Sequence, residues 1–241
     1  IIGCDCPVCT SHDPHNKRRR SSLYVRAAGT DLLVDASPDF RDQALTFKIP
    51  RIDAVLFTHS HADHIFGFDD IRRFNTLQDA VIPAYGPEAT MADLRRIFDY
   101  VGTGKTPGLY RPRTEFRVLE APTRIGEVLV EPLALEHGDT PAVGYRLEAE
   151  GRSLGYCPDC SRVPAETIER LEGVNVMILD ALRHRPHRTH LTVEQSVAYL
   201  RRIGADRSYI THLTHDLDHD ATQAALPDGI DVPYDGLAIE W

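Results

Sequence analysis

Four ligand-type side chains occupy six positions in His59-x-His61-x-Asp63-His64, directly after the apolar run Ala54-Val55-Leu56-Phe57-Thr58. A strand-end turn of this spacing presents His59 and His61 toward one point while Asp63 and His64 aim at a neighbouring one, which suits two ions. Imidazole and carboxylate donors without thiolate suit zinc, manganese or iron. Two such ions about 3.5–4 Å apart can activate a shared hydroxide and clamp a displaced oxygen. Thr58 and Ser60, in the same turn, read as turn and supporting residues rather than as donors.

A second set of donors is Cys4-x-Cys6-x-x-Cys9, three thiols at a spacing that suits a closed tetrahedral zinc site once a fourth ligand joins them. His215, His12, His15 and His219 all compete for that position, and spacing does not separate them. The chain has five cysteines, an odd number in two tight clusters. That pattern suits metal ligation or free thiols better than a disulfide framework, so a reducing, cytoplasmic compartment is expected. Cys157 and Cys160 flank Asp159 and read as packing residues. Gly104-Lys105-Thr106 imitates the end of a phosphate-binding loop but lacks the required earlier glycine, since Asp99 stands there.

The HxHxDH turn resembles the signature of the metallo-β-lactamase superfamily at every position. The resemblance implies a four-layer αββα sandwich, two mixed sheets flanked by helices, as one domain over residues 1–241, with a first strand upstream of residue 1. It also implies further ligands. His59, His61 and His137 would hold one ion, Asp63, His64 and His212 the second, and Asp159 would bridge them. Asp35 matches the early aspartate that holds the ligand loop, with ordinary turn capping as its other reading.

The cysteine triplet together with Thr211-His212-x-x-His215 resembles the phosphodiesterases of the carbon–phosphorus lyase pathway. That likeness implies His215 as the fourth structural zinc ligand and a catalytic histidine just before a late helix. His190 fits best, with His184 and His187 as alternatives. Such an enzyme would hold two active-site ions (zinc or manganese) and one structural zinc, and would hydrolyse a small, preferably cyclic, phosphodiester with Asp63 and His190 as catalytic residues. Relatives with this ligand set process tRNA 3′ ends or cleave thioesters and lactones. A metal-stabilised carrier or binding protein without turnover is the alternative of another class. The oxygen-reducing diiron branch carries glutamate where His61 stands and is set aside.

The elements that must position these residues are short apolar runs ending in polar residues: Leu32–Asp35, Ala54–Thr58, Leu154–Cys157, Val176–Asp180 and Tyr209–His212. Helical patterns alternate with them, which argues for α/β layering. Thr192–Ile203 has apolar residues at helical spacing, a Thr192/Gln195 capping box and Gly204 at its end. Met91–Tyr100 reads as a second helix, and Gly102–Arg113 as a lid or insertion. Lys17–Arg20 reads as solvated charge. With 27 Lys plus Arg against 36 Asp plus Glu, the net charge of -9 disfavours extended nucleic-acid binding. No apolar stretch approaches the roughly 20 residues that cross a bilayer, so no membrane partner is expected. A homodimer is compatible with the sequence.

Overall fold

Runs of three to five apolar residues are too short to be stable helices, and here they become buried strands whose polar ends carry the ligand residues. The computed structural model describes residues 1–104 and 110–241, and the chain divides into two compact units, Arg20–Pro132 and Ile1–Arg19 with Leu133–Trp241. The residues before Arg20 contribute one short helix, α1 (Pro7–Thr10).

In the unit Arg20–Pro132, β1 (Leu23–Ala27) and β2 (Thr30–Val34) form an antiparallel hairpin. There follow α2 (Phe40–Thr46), β3 (Ala54–Leu56), α3 (Ala62–Ile65), α4 (Ile71–Gln78), β4 (Ala84–Gly86), α5 (Glu88–Ile97) and β5 (Phe116–Val118). The sheet order is β1-β2-β3-β4-β5, parallel from β2 onward. Parallel pairing sets Val34 opposite Leu56, so Asp35 and Thr58 leave the sheet at the same edge. Leu33, Val55, Phe57, Ile65 and Phe68 form a core here, each almost wholly buried, and full burial of such a side chain contributes about 1.5–3 kcal/mol. Helix α5 begins and ends three residues earlier than the predicted Met91–Tyr100. Pro87 supplies the fixed φ that starts it, and the chain leaves helical geometry at Phe98, whose ring turns into the core.

Gly102 and Arg113 bridge the ends of the predicted loop; Lys105 and Thr106 of the phosphate-loop lookalike lie outside the described residues. A hairpin of β6 (Thr123–Ile125) and β7 (Val128–Leu135) follows, and the boundary between the units falls within β7.

The other unit holds β8 (Ala142–Ala149), β9 (Arg152–Cys157), α6 (Ala165–Leu171), β10 (Val176–Asp180), α7 (Val193–Ile203), β11 (Arg207–Thr211), α8 (His219–Ala225) and β12 (Ile230–Asp231). The second sheet runs β12-β11-β10-β9-β8-β7-β6, with β9 to β12 parallel. Leu179 lies opposite Cys157, and Asp180 opposite Thr211. The loops carrying Asp159, Ala181–His190 and His212 therefore emerge at one edge, where parallel strands deliver functional residues. Helix α7 has the expected capping box, with Gly204 at φ 66° closing it, and Val193, Leu200 and Ile203 buried.

Within the run Lys17–Arg20, Lys17 and Arg20 are exposed, but Arg18 and Arg19 depart from the solvated charge read from the sequence. Arg18 donates to the carbonyls of Thr214 (3.1 Å) and Leu217 (2.7 Å), while Arg19 pairs with Asp235 and Arg20 with Asp39, both at 3.1 Å. A planar guanidinium fork fits such oxygens well, and their distance along the chain hides them from local patterning. Among the described residues no helix is long and apolar enough to cross a membrane.

Candidate metal centre

In the unit Arg20–Pro132, the HxHxDH turn is organised by Asp35. This carboxylate is fully buried, sits at φ 61°, and accepts from the Thr58 N–H (2.9 Å), the Thr58 hydroxyl (2.8 Å) and His64 Nδ1 (2.7 Å). Aspartate tolerates a left-handed backbone where branched residues do not. A carboxylate only accepts, so His64 carries its hydrogen on Nδ1. The Thr58 hydroxyl spends its hydrogen on Asp35, so toward His59 Nδ1, at 3.0 Å, it can only accept. Both imidazoles therefore offer Nε2, the form a metal ligand needs.

The ring of His59 lies 4.6 Å from that of His61 and 4.2 Å from that of His64. Asp63 Oδ2 lies 3.7 Å from His64 Nε2, and His61 is exposed. The Ser60 hydroxyl donates to Asp93 (2.7 Å); together with Arg96 it holds that carboxyl below its ordinary range. Behind the turn, the Gly67 N–H donates to Ala36, and a Cβ there would stand 1.9 Å from the Ser37 carbonyl oxygen. Only glycine permits that approach.

In the other unit, Asp159 is almost fully buried, with Oδ1 3.3 Å from His212 Nε2 and Oδ2 3.8 Å from His137 Nε2. One carboxylate thus faces two imidazoles, one through each oxygen. Two ligands on a tetrahedral ion with bonds of about 2.1 Å lie roughly 3.4 Å apart, close to these separations. His137 Nδ1 lies 2.8 Å from the Thr189 carbonyl, which also only accepts, so Nδ1 carries the hydrogen and Nε2 the lone pair. Gly138, at φ 59°, lets this loop close in, since a Cβ would stand 2.8 Å from Thr189 Cγ2. His212 sits at φ 61°, an uncommon conformation for histidine.

His190 stacks on His212, with centroids 4.8 Å apart and planes 13° apart, and groups with Asp159 and His212 as a further set of potential donors. Its Nδ1 lies 3.3 Å from both oxygens of the fully buried Asp180, whose Oδ2 also accepts from the Leu191 and Cys160 N–H groups. Burial pushes the Asp180 carboxyl well above its ordinary range, and the His212 imidazole opposes the rise. His184 pairs instead with Glu194 (2.6 Å). His187 bonds to Thr189, and burial, followed by neighbouring His190, lowers its pKa. The sequence alone does not assign Asp180 a role; the available signal is its position at a strand end, shared with Asp35. Cys157 and Cys160 are wholly buried in the core of this unit, and burial raises the Cys157 thiol to about 12.

The cysteine triplet meets His215 rather than His12, His15 or His219. His215 Nδ1 lies 3.3, 3.4 and 3.5 Å from the sulfurs of Cys4, Cys6 and Cys9. A tetrahedral zinc with Zn–S of about 2.3 Å and Zn–N of about 2.0 Å sets such pairs roughly 3.5 Å apart. The Cys9 N–H donates to Cys6 Sγ and, with His215, lowers the Cys6 thiol to about 6, so a thiolate is ready for a cation.

The family model for the beta-lactamase superfamily domain matches residues 30–213. The chain belongs to this superfamily. A solved structure described as a new diphosphatase from the PhnP family is 38% identical with a TM-score of 0.90, and the match covers 100% of this chain and 91% of that one. This superfamily member therefore has the metallo-β-lactamase fold, two mixed sheets flanked by helices, and is similar to that PhnP-family diphosphatase.

Its sequence is 35% identical over 241 residues to an octanoyltransferase of Porphyromonas gingivalis, covering 98% of this chain and 48% of that protein. It is 30% identical over 206 residues to coenzyme PQQ synthesis protein B of Methylobacterium radiotolerans, covering 73% and 66%. The chain thus spans about half to two thirds of these relatives.

Proposed function

We propose that this superfamily member is a two-metal phosphodiesterase acting on a small phosphodiester. The observation that carries the reading is Asp159, whose two oxygens each face an imidazole Nε2, as the shared ligand of two ions must. Superfamily membership supports His59, His61 and His137 as ligands of one ion, and Asp63, His64 and His212 as ligands of the other. The donor set, without thiolate, fits zinc or manganese. Bound there, the ions would polarise a phosphoryl oxygen and bring a water to a reactive pKa near neutrality.

The protein's own contribution is to hold protons in place. Asp35, Thr58 and Thr189 keep hydrogens on the outer nitrogens of His64, His59 and His137, leaving Nε2 of each for an ion. Asp180 faces His190 Nδ1 at 3.3 Å and is a positioning residue for the ring when it carries a proton on both nitrogens. His190 Nε2 protonates the departing alkoxide, a role worth about 10²–10⁴ in rate. A diester and a diphosphate both release a bridging oxygen from phosphorus, so the 38% identical PhnP-family diphosphatase supports this reaction class. The net charge of -9 favours a small substrate over tRNA. Five free cysteines suit a reducing, cytoplasmic location.

The test is turnover of bis(p-nitrophenyl) phosphate by the zinc- or manganese-loaded protein, beside a thioester, a lactone and a tRNA precursor. Diester hydrolysis is expected, and His61→Ala, at an exposed position, should abolish it while leaving the fold intact. A fully metallated protein that ignores the diester, or a His61→Ala variant with near-normal turnover, overturns the reading.

A further inference from the structure

A second group of imidazoles lies in the unit that carries the cysteine cluster, and the proposed reaction does not use it. His15 stands on the single turn Pro14–Asn16, and His219 is the first residue of α8. Their ring centroids lie 4.5 Å apart, with the Tyr234 ring 4.5 Å from His15. One ligand atom from each of His15, His219 and Asp220 lies within 4.8 Å of the others. We propose that His15, His219 and Asp220 form a further metal site, taking a divalent ion of the zinc class with water completing its coordination.

The backbone on both sides of this group is fixed by bonds that leave the imidazoles out. Asn16, buried, accepts the His219 N–H at Oδ1 (2.9 Å) and donates from Nδ2 to Asp218 (2.8 Å). Asp218 in turn caps α8 through the Ala221 N–H, and Asp13 accepts the His15 N–H at 2.9 Å. The two histidines, 204 residues apart in sequence (219 − 15), are therefore held with ring centroids 4.5 Å apart and planes inclined by 39° before any ion arrives.

Ring contact alone would leave one feature unexplained. His219 is 8% exposed, and its Nδ1 is buried without a hydrogen-bond partner, where buried polar atoms are normally satisfied. Burial, and then His15, lower its pKa, which favours the neutral imidazole that ligates metals. Asp13 lies 3.6 Å from His15 Nδ1, suited to be the outer carboxylate that orients a ligating histidine. Ligands of one tetrahedral ion lie closer than 4.8 Å, roughly 3.3 Å. The exposed Asp220 and the 40% exposed His15 side chain are free to close that gap on a fixed His219. Two imidazoles and a carboxylate without sulfur select zinc, nickel or copper over calcium or magnesium.

The test compares wild type with His15→Ala and Asp220→Asn, each equilibrated with buffered micromolar free Zn²⁺, with bound metal counted per chain. Only the difference between proteins matters, so the outcome does not depend on the hydrolase reading. Wild type is expected to hold one zinc more than either variant and to give a zinc-edge anomalous peak between His15 and His219. Asp220→Asn is a surface change that keeps the test valid should His15→Ala disturb the N-terminal turn. Equal zinc in all three proteins, or an extra ion located elsewhere, overturns the proposal.

Discussion

Asp35→Asn perturbs the HxHxDH turn at one atom while sparing the backbone, because asparagine accepts φ 61° as readily as aspartate does. The carboxylate receives three donors: the Thr58 N–H at Oδ1, and the Thr58 hydroxyl and His64 Nδ1 at Oδ2. The amide has one acceptor oxygen. With that oxygen on the Thr58 N–H, the NH₂ group confronts His64 Nδ1, and His64 must move its hydrogen to Nε2, the nitrogen an ion requires.

Loss of a hydrogen bond to a charged group costs about 1.5–3 kcal/mol. Loss of the outer partner of a ligating histidine typically lowers metal affinity about 10–100-fold, or about 1.4–2.8 kcal/mol. The two estimates agree, so zinc affinity should fall by one to two orders of magnitude. Competition with a chelator of known affinity measures this, with diester turnover at saturating zinc as a second readout. An Asp35→Asn variant that binds zinc within twofold of wild type would refute the argument that Asp35 sets the His64 tautomer.

His190→Ala should lower kcat by about 10²–10⁴ for a diester with an alkoxide leaving group and far less for a p-nitrophenolate, which departs without a proton; equal losses on both would remove its role as acid. Gly67→Ala forces a Cβ onto the Ser37 carbonyl and should cost about 3 kcal/mol, lowering Tm by roughly 6–12 °C in a chain of this size; an unchanged melt would contradict the close approach. Cys6→Ser should remove one zinc per chain and lower Tm, as metal analysis and melting will show; full zinc retention would remove the assignment of that cluster.

What the sequence discloses is what local rules govern. Strands β2, β3, β9, β10 and β11 stand where apolar runs end in polar residues, because a buried strand meeting a ligand-bearing edge leaves that signature. Helix α7 is readable at both ends, since Thr192, Gln195 and Gly204 each obey a capping rule within one turn. The start of α5 is hidden because Glu88–Thr90 add little to its apolar stripe, and Pro87 alone marks it.

The direction of the protons is also hidden. His137 depends on the Thr189 carbonyl 52 residues away, and His64 on Asp35, 29 residues away. A backbone carbonyl has no residue identity by which a sequence could announce it. The partners of Arg18 lie 196 and 199 residues along the chain, which is why a run of four basic residues passes for a solvated one.

The cysteine cluster also has a history in time. Cys9 is synthesised 206 residues before His215, an interval of about 10–40 s at ordinary translation rates. During it the three thiols stand without the imidazole that completes their cage, open to stray metal and to oxidants that carry thiolates toward sulfenic acid. On the zinc assignment that Cys6→Ser tests, the cage closes only after translation has passed residue 215.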